Sequence, residues 1–292
     1  MRVAVTGSSG FLGSHVCTEL RGRGMSVIAI DQCLSTSKSD ETLLVDVRDV
    51  SAMRQALAGC EAVFHCAAIA DLDECRQDPR LAIDVNISGT LAVLDAARGE
   101  GVQRFMHASS VYVFSRSGSV YRTTKQAAEH LVEDLSSEWG IKSTILRFGS
   151  LYGPGADPGN AVLRMVRQAV QNGRIEFWGD GSEIREYIHI SDAAALAIDS
   201  LDERFVGEYV HITGRERLST RELLLMLAEM LGGSIDIEFR DEPFEGRYRL
   251  TPYAHERPLG SRLTRDTYVD LGLGLLEIIR LVSREYAEEE FQ

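Results

Sequence analysis

A short apolar strand that runs directly into three regularly spaced glycines most constrains how this chain can fold. Residues 3–5 read Val-Ala-Val, Gly7, Gly10 and Gly13 follow, and an amphipathic helical pattern opens at Phe11. The first two glycines permit a tight turn and a close approach of the backbone to a pyrophosphate, and the third lets helix and strand pack closely. The pattern predicts a dinucleotide-binding turn, although an ordinary strand-to-helix turn shares the bare spacing.

Further short and continuously apolar runs alternate with longer helical patterns. They occupy residues 27–30, 43–45, 62–65, 105–107 and 144–146. Such runs are typical of parallel strands that helices cover on both faces. Repeated strand-helix-strand units with right-handed crossovers build a doubly wound sheet. We therefore predict an α/β fold, a Rossmann-type doubly wound parallel sheet with a smaller, interleaved C-terminal lobe that binds substrate.

Glycine and proline punctuate the chain after Tyr152, where the composition changes. We place the dinucleotide-binding domain at residues 1–150 and the substrate-binding lobe at residues 151–183 and 213–292. The apolar runs at residues 184–190, 193–201 and 209–212 are expected to return to the main sheet. The two domains would then interleave along the chain.

An acidic residue stands where the second strand ends. Asp31 lies eighteen residues past Gly13, where a carboxylate can accept hydrogen bonds from the adenosine ribose 2'-hydroxyl. The same carboxylate would repel a 2'-phosphate, so the sequence favours NAD over NADP. Asp46 and Val47 follow the third strand and are candidates for the adenine edge. A strand-ending carboxylate and a helix cap are the alternative roles of the two aspartates.

Tyr121 and Lys125 are four residues apart, so they lie on one face of a helix, one turn from each other. Tyrosine titrates near pH ~10 in the absence of perturbation. A neighbouring ammonium, together with the positive charge of an oxidised nicotinamide, favours the phenolate and makes the tyrosine a candidate general base. The spacing alone also occurs by chance on helix surfaces.

The net charge of -13 disfavours binding to nucleic acid or to an anionic membrane. No apolar run approaches the ~20 residues of a membrane span, and we expect a cytoplasmic protein.

The five cysteines include no Cys-x-x-Cys pair. His65, Cys66 and Cys75 are the one combination that suggests a metal, but buried thiols explain them better, and no metal is predicted.

Ordered motifs extend over most of the chain. They are Thr-Gly-Ser-Ser-Gly-Phe-Leu-Gly at 6–13, Asp31, Asp46-Val47, His65-Cys66-Ala67-Ala68, Asp84-Val85-Asn86, Ser109-Ser110, Tyr121 with Lys125, Leu146-Arg147-Phe148, Leu-Tyr-Gly-Pro at 151–154, and Gly-Asp-Gly-Ser at 179–182 with Arg185. Together they resemble the extended short-chain dehydrogenase/reductase family, specifically its nucleotide-sugar epimerase/dehydratase branch.

The resemblance implies a set of site residues. The cofactor-binding residues would be Gly7, Gly10, Phe11, Leu12, Gly13, Asp31, Asp46, Val47, Ala67, Asn86, Lys125 and Phe148. The catalytic residues would be Ser110, Tyr121 and Lys125, with Ser110 preferred to Ser109 for the hydrogen bond to the reacting oxygen and Ser109 satisfying backbone groups. The substrate-binding residues would be Ser150, Arg185 and Arg257, of which the arginines suit a diphosphate.

The resemblance also implies a reaction. Val111 and Tyr112 stand where the family's dehydratases carry acidic residues and its decarboxylases a glutamate, so we favour an NAD-dependent epimerase that acts at C4 of a UDP-sugar or UDP-uronic acid. The alternatives are an NAD-dependent sugar or alcohol dehydrogenase or ketoreductase, and a non-catalytic dinucleotide-sensing protein. The short loop between Ser110 and Tyr121 and the serine at position 150, where the family has asparagine, leave the sugar open.

The family resemblance further implies a homodimer. Relatives commonly pair through two helices, which here would be residues 80–98 and 123–139. The spare apolar positions on these helices include Leu91, Leu94 and Leu131. Packing against the sheet is their alternative role.

Overall fold

The computed structural model describes residues 1–33, 39–115, 118–240 and 260–290. The strands within those residues are β1 (Arg2–Thr6), β2 (Ser26–Asp31), β3 (Glu41–Leu44), β4 (Ala62–His65), β5 (Arg104–Ser110), β6 (Lys142–Phe148), β7 (Ser150–Tyr152), β8 (Arg174–Trp178), β9 (Ile184–His189), β10 (Tyr209–Ile212), β11 (Arg217–Ser219), β12 (Asp236–Arg240) and β13 (Ser261–Arg262).

The α-helices over the same residues are α1 (Phe11–Gly22), α2 (Val50–Leu57), α3 (Leu72–Gln77), α4 (Pro79–Ile83), α5 (Thr90–Gly99), α6 (Ser119–Trp139), α7 (Ala161–Asn172), α8 (Ile190–Asp199), α9 (Thr220–Met230) and α10 (Leu271–Glu290). A π-helical turn, Asp84–Gly89, joins α4 to α5, and 3-10 turns occur at Val111–Phe114 and Glu203–Phe205. None of the described helices is long and apolar enough to cross a membrane.

The main sheet has the order β3-β2-β1-β4-β5-β6-β10-β13 among the described strands, and every neighbouring pair in it is parallel. Helices cover both faces, so the predicted Rossmann-type fold is confirmed. The chain leaves β1 on one side to reach β2 and returns on the other side as β4. This reversal opens a crevice at the carboxyl ends of β1 and β4, where doubly wound proteins bind their ligands.

Two apolar layers hold the helices on this sheet. On one face, Val16 and Leu20 of α1 and Leu196 of α8 are fully buried in one cluster with the sheet. On the other face, Met53 of α2 and Val132 of α6 belong to a second cluster. Fully burying one such side chain stabilises the fold by roughly 1.5–3 kcal/mol, so the two layers fix the helices whose ends build the crevice.

The smaller lobe contains a three-stranded sheet, β11-β9-β7, and a two-stranded sheet, β12-β8. A third apolar cluster, which includes Leu163 of α7, Leu223 of α9 and Leu275 of α10, fills it. We expected residues 184–190 to rejoin the main sheet, but β9 pairs with β7 and β11 instead. An apolar run predicts a buried strand, but it does not show which of the two sheets that strand joins. By contrast, β10 does rejoin the main sheet, and β13 extends its edge although we had assigned it to the lobe.

A single residue separates the two sheets where the chain passes from β6 to β7. The amide of Gly149 donates to the Ile212 carbonyl at 2.9 Å. A Cβ atom at this position would lie 2.8 Å from the Glu186 carbonyl oxygen. Only glycine allows β9 to approach the corner so closely, and the two sheets are therefore tightly joined here.

Candidate active site

The turn between β1 and α1 packs closely against its surroundings because glycines stand where a Cβ atom would meet other backbone atoms. Gly7 has a φ of 69°, and a Cβ atom there would lie 2.6 Å from the Ala67 nitrogen. A Cβ atom at Gly13 would lie 2.1 Å from the Gly7 carbonyl oxygen, and one at Gly10 would lie 3.2 Å from it. Gly10 is the N-cap of α1 and has no side chain to cap the helix. The first amides of α1 therefore suit a pyrophosphate.

Asp31 lies beside this turn at the end of β2. Its Oδ2 accepts a hydrogen bond from the Ser9 amide at 2.8 Å, and its Oδ1 accepts one from the Cys33 amide at 3.2 Å. An ionised carboxylate has about four lone-pair sites, so Asp31 retains acceptors for ribose hydroxyls. The backbone contacts also hold the carboxylate at the edge of the glycine turn, which fits the adenosine half of a dinucleotide.

Asp46 and Val47 lie after β3, as expected from the sequence, and differ in exposure. The Asp46 carboxylate accepts hydrogen bonds from the Arg48 amide at 2.9 Å and from the Arg48 guanidinium. The guanidinium keeps the pKa of the Asp46 carboxyl below its usual value. Val47 is buried and packs against the π-helical turn at Gly89. Asp46 is thus a paired surface acid, and Val47 forms part of the wall beneath it.

The remaining residues expected around the cofactor have different environments. Phe11 and Leu12 form the half-buried first turn of α1, and Leu12 packs on the core. Ala67 lies directly behind Gly7. Phe148 has only 4% of its surface exposed and belongs to the core cluster, so its ring is a packing element at the end of β6.

Ser110, Tyr121 and Lys125 come together at the carboxyl end of β5. The Ser110 hydroxyl is hydrogen-bonded to the Tyr121 phenol. The Lys125 ammonium donates to the Ala108 carbonyl at 2.9 Å. All three side chains are buried, with 7%, 9% and 3% of their surfaces exposed. The fold therefore assembles the acid/base group from the end of one strand and the first turns of one helix.

Burial shifts the pKa values of this group. It raises the pKa of Tyr121 well above its usual value, and the hydrogen bond with Ser110 acts in the opposite direction. Burial lowers the pKa of Lys125 to about 8. We predict from the sequence that Lys125 lowers the pKa of Tyr121, but the largest influence on that pKa is desolvation, and the side chains that shift it are Ser110, Cys75 and Tyr112. The four-residue spacing of Tyr121 and Lys125 does not show how deeply they are buried. The direction of the Tyr121 pKa shift could therefore not be predicted from it.

Asn86, a predicted cofactor-binding residue, joins two neighbouring segments of the site by hydrogen bonds. It is fully buried on the π-helical turn. Its Oδ1 accepts from the Ile69 amide at 2.8 Å, and its Nδ2 donates to the Ile69 carbonyl and to the Thr124 hydroxyl, both at 3.0 Å. The Thr124 hydroxyl in turn donates to the Tyr121 carbonyl at 2.9 Å. Asn86 thus positions the first turn of α6.

Two described parts of the chain between Ser110 and α6 lie beside the acid/base group: the 3-10 turn at Val111–Phe114 and the helix cap at Gly118. The Tyr112 ring makes an edge contact with the Tyr121 ring, with centroids 6.1 Å apart. Gly118 has a φ of 124°, and a Cβ atom there would lie 2.8 Å from the Tyr112 ring. In the sequence, Tyr112 only marks a position where an acidic residue is absent. It is an aromatic wall beside the acid/base group.

Two of the three predicted substrate-binding residues lie on the three-stranded sheet. Ser150 begins β7 and is paired in register with Tyr187 of β9. Arg185 of β9 is buried, with 9% of its surface exposed, and is paired in register with Leu218. Arg257 lies outside the described residues. The structure thus brings Ser150 and Arg185 onto neighbouring strands, next to the corner where the main sheet ends.

One buried network behind the acid/base group was not predicted from the sequence. The Glu129 carboxylate accepts from the Ser109 hydroxyl at 2.6 Å and from Arg147 at 2.7 and 2.9 Å. Ser109 therefore bonds a carboxylate and not the backbone as expected. The available signal was the spacing of Tyr121, Lys125 and Glu129, which places all three on one face of α6.

The fold, the glycine turn and the serine, tyrosine and lysine group together define a dinucleotide-dependent enzyme of the short-chain dehydrogenase/reductase type. Residues 3–212 match the NAD dependent epimerase/dehydratase family. The chain belongs to this family. The match confirms the resemblance seen in the sequence and the prediction of NAD as the cofactor, which the glycine turn and Asp31 fit.

Individual relatives catalyse different reactions. An uncharacterized UDP-glucose epimerase from Bacillus subtilis is 29% identical over 273 residues, which cover 83% of this chain and 86% of the relative. A UDP-N-acetyl-alpha-D-glucosaminuronate decarboxylase from Bacillus cytotoxicus is 28% identical and covers 85% of both chains. The crystal structure of the Thermus thermophilus UDP-glucose 4-epimerase with NAD has a TM-score of 0.79 at 26% identity and covers 97% of this chain and 99% of its own.

Proposed function

We propose that the protein is an NAD-dependent nucleotide-sugar epimerase that inverts C4 of a UDP-sugar or UDP-uronic acid through a transient keto sugar. The composition of the acid/base group supports this proposal most directly. Val111 and Tyr112, which directly follow Ser110, carry no carboxylate, and the Tyr112 ring packs edge-on against the Tyr121 ring. Elimination of water needs a further acid and base, whereas epimerisation needs only the tyrosine and a retained cofactor.

The side chains divide the work of the reaction. Tyr121 removes the proton from the C4 hydroxyl and returns it after the sugar has turned over. Ser110 donates a hydrogen bond to the reacting oxygen, and the Lys125 ammonium stabilises the phenolate electrostatically. NAD, when bound, would accept the C4 hydride, return it to the opposite face and add a positive charge near Tyr121. The glycine turn and Asp31 would hold it.

We place the nucleotide diphosphate on the smaller lobe. We assign to that lobe the predicted residues 151–183 and 213–292 without β13, and we add β9, which carries Arg185. Arg185 offers a fork of donors that suits two phosphate oxygens at once. Ser150, on the next strand, offers one hydroxyl where an amide would reach further. Relatives named for UDP-glucose and UDP-glucuronate support a uridine nucleotide with either a neutral or a carboxylated sugar.

Proton NMR of the purified protein with UDP-glucose, UDP-galactose, UDP-glucuronate and UDP-galacturonate, without added cofactor, tests the proposal. We expect one of these sugars to convert to its C4 epimer, and the Tyr121→Phe variant to bind NAD without catalysing the conversion. Turnover that needs added NAD and yields a keto product would make the protein a dehydrogenase. An active Tyr121→Phe variant would contradict the mechanism.

We further propose a cytoplasmic homodimer that pairs through α5 and α6. Leu91 has 40% of its surface exposed and Leu131 is partly buried, so both are available to a second copy. Leu94 is fully buried and packs on the sheet, so it is not a contact residue. Light scattering of the wild type and of the Leu91→Glu variant tests the pairing. A monomeric wild type would contradict it.

A further inference from the structure

Three consecutive residues at the end of β5 contact three successive turns of α6. The contacts are Ala108 with Lys125, Ser109 with Glu129, and Ser110 with Tyr121. The first and third contacts belong to the acid/base group already described. The middle contact, from a serine hydroxyl to a buried carboxylate at 2.6 Å, belongs to none of the roles assigned above. Ser109 nevertheless lies between Ala108 and Ser110 on the strand, and Glu129 lies one turn beyond Lys125 on the helix.

The carboxylate of Glu129 is held as a buried ion. Its side chain has 5% of its surface exposed, and that of its partner Arg147 has 6%. Arg147 is bidentate to it and lies over the rings of Phe114, at 4.5 Å, and Tyr209, at 4.1 Å. A bidentate guanidinium fixes both the charge and the orientation of a carboxylate. Glu129 is therefore a fixed negative charge one turn from Lys125.

Other titratable groups face Lys125 from the neighbouring elements. They are Cys66 after β4, Cys75 of α3, His65 of β4, His107 of β5 and Glu129 of α6. Burial raises the pKa of Cys66 to about 12 and that of Cys75 to about 11, and lowers the pKa of both histidines. The thiols and imidazoles are thus neutral near pH 7. Among these groups, Glu129 supplies the charge that favours the ammonium form of Lys125.

We propose that Glu129, fixed by Arg147 and Ser109, is a positioning residue that keeps Lys125 charged and holds α6 in register with β5. The register brings Tyr121 to Ser110. The inference rests on the acid/base roles of Tyr121 and Lys125 in the proposed function. It assigns to Glu129 a role in the reaction that is exerted through Lys125 and Ser109.

Two conservative variants distinguish the effect of the Glu129 charge from the effect of the contact that holds α6 in register with β5. Glu129→Gln keeps the size of the side chain and removes its charge. Ser109→Ala keeps the charge and removes the hydrogen bond to β5. The matched control is Glu133→Gln, because Glu133 lies one turn further along α6, is half exposed and accepts from the Tyr209 hydroxyl at 2.6 Å.

The kinetic test measures kcat and KM against pH with the epimerised sugar. We expect Glu129→Gln to lower kcat at least ~10-fold with KM little changed, and to move the alkaline loss of activity to lower pH, because Lys125 loses its proton earlier. Ser109→Ala should lower kcat by roughly threefold without moving this loss. Glu133→Gln should behave as the wild type.

An NMR titration tests the same inference without a substrate. The sequence contains three lysines, Lys38, Lys125 and Lys142, so the signals of lysine labelled with 13C at Cε can be assigned by substitution. We expect the pKa of Lys125 to fall by ~1 in Glu129→Gln, which is a tenfold change in its ionisation equilibrium. It should stay unchanged in Glu133→Gln.

The outcomes are distinct. A folded Glu129→Gln variant with wild-type kcat and an unchanged Lys125 titration would overturn the inference, and so would equal losses in Glu129→Gln and Glu133→Gln. If Glu129→Gln alone does not fold, Glu129→Gln combined with Arg147→Met removes the unpaired buried cation, and the Lys125 titration in that protein decides. If the wild type epimerises no sugar, the proposed function fails, while the NMR titration still tests the role of Glu129.

Discussion

Replacing Gly13 by alanine should disable the cofactor site while leaving the sheet intact. The added Cβ atom would lie 2.1 Å from the Gly7 carbonyl oxygen and 2.7 Å from its carbonyl carbon. Ordinary contact begins at 3.4 Å, so helix and turn must separate by more than ~1 Å. Overpacking of this kind typically costs ~1–3 kcal/mol. The strain falls on the turn whose amides would bind the pyrophosphate.

We therefore expect NAD to bind about 5- to 150-fold more weakly to Gly13→Ala, since each ~1.4 kcal/mol corresponds to a factor of ten in affinity. Titration calorimetry on protein from which NAD has been removed measures this directly. The melting temperature should also fall by a few degrees, at ~2–4 °C per kcal/mol for a chain of this size.

Gly22→Ala is the matched control on the same helix. Nothing lies within 4 Å of a Cβ atom at Gly22, and alanine in a helix is favoured over glycine by roughly 0.5–1 kcal/mol. This variant should bind NAD as the wild type does and melt no earlier. If Gly13→Ala bound NAD within about twofold of the wild type and kept its melting temperature, the steric reasoning would be refuted.

Three further results are expected. Asp31→Asn should reduce the preference for NAD over NADP about tenfold, because the charge that repels a 2'-phosphate is lost; the ratio of the two dissociation constants checks this, and an unchanged ratio would contradict it. Activity should fall as the pH rises through about 8, where Lys125 loses the proton it needs; a kcat profile without a descending limb there would count against the assignment. Asn86→Ala should destabilise the fold by ~2–4 kcal/mol, since buried partners at Ile69 and Thr124 lose their hydrogen bonds; urea unfolding measures this, and a loss below ~1 kcal/mol would contradict it.

The main sheet could be predicted from the sequence because its central strands, such as β1, β4 and β5, are buried on both faces and alternate with helices. That pattern predicted the order of the strands and helices along the chain and the position of the glycine turn. It could not assign β9 to its sheet, since a buried strand in either sheet has the same composition. The edge strand β13 is only two residues long, which is too short for any periodicity to register.

The residue types of the acid/base group could be predicted from the sequence, but the effect of burial on their pKa values could not. The spacing of Tyr121 and Lys125 gave their common face but not their burial, and burial dominates both pKa values. The pairing of Glu129 with Arg147 could not be predicted from the sequence, for a different reason. Arg147 lies on β6, and only the order of strands in the sheet brings it opposite α6.

The corner at Gly149 limits how the enzyme can close on its substrate. One residue links β6 to β7, and the chain passes again between the two sheets at β9 to α8 and at β10 to β11. Several short links between the lobes restrict their rotation more than a single hinge would, because every link must change its backbone angles at the same time. We therefore expect substitutions at Gly149, where an added Cβ atom would press on β9, to alter the shape of the cleft.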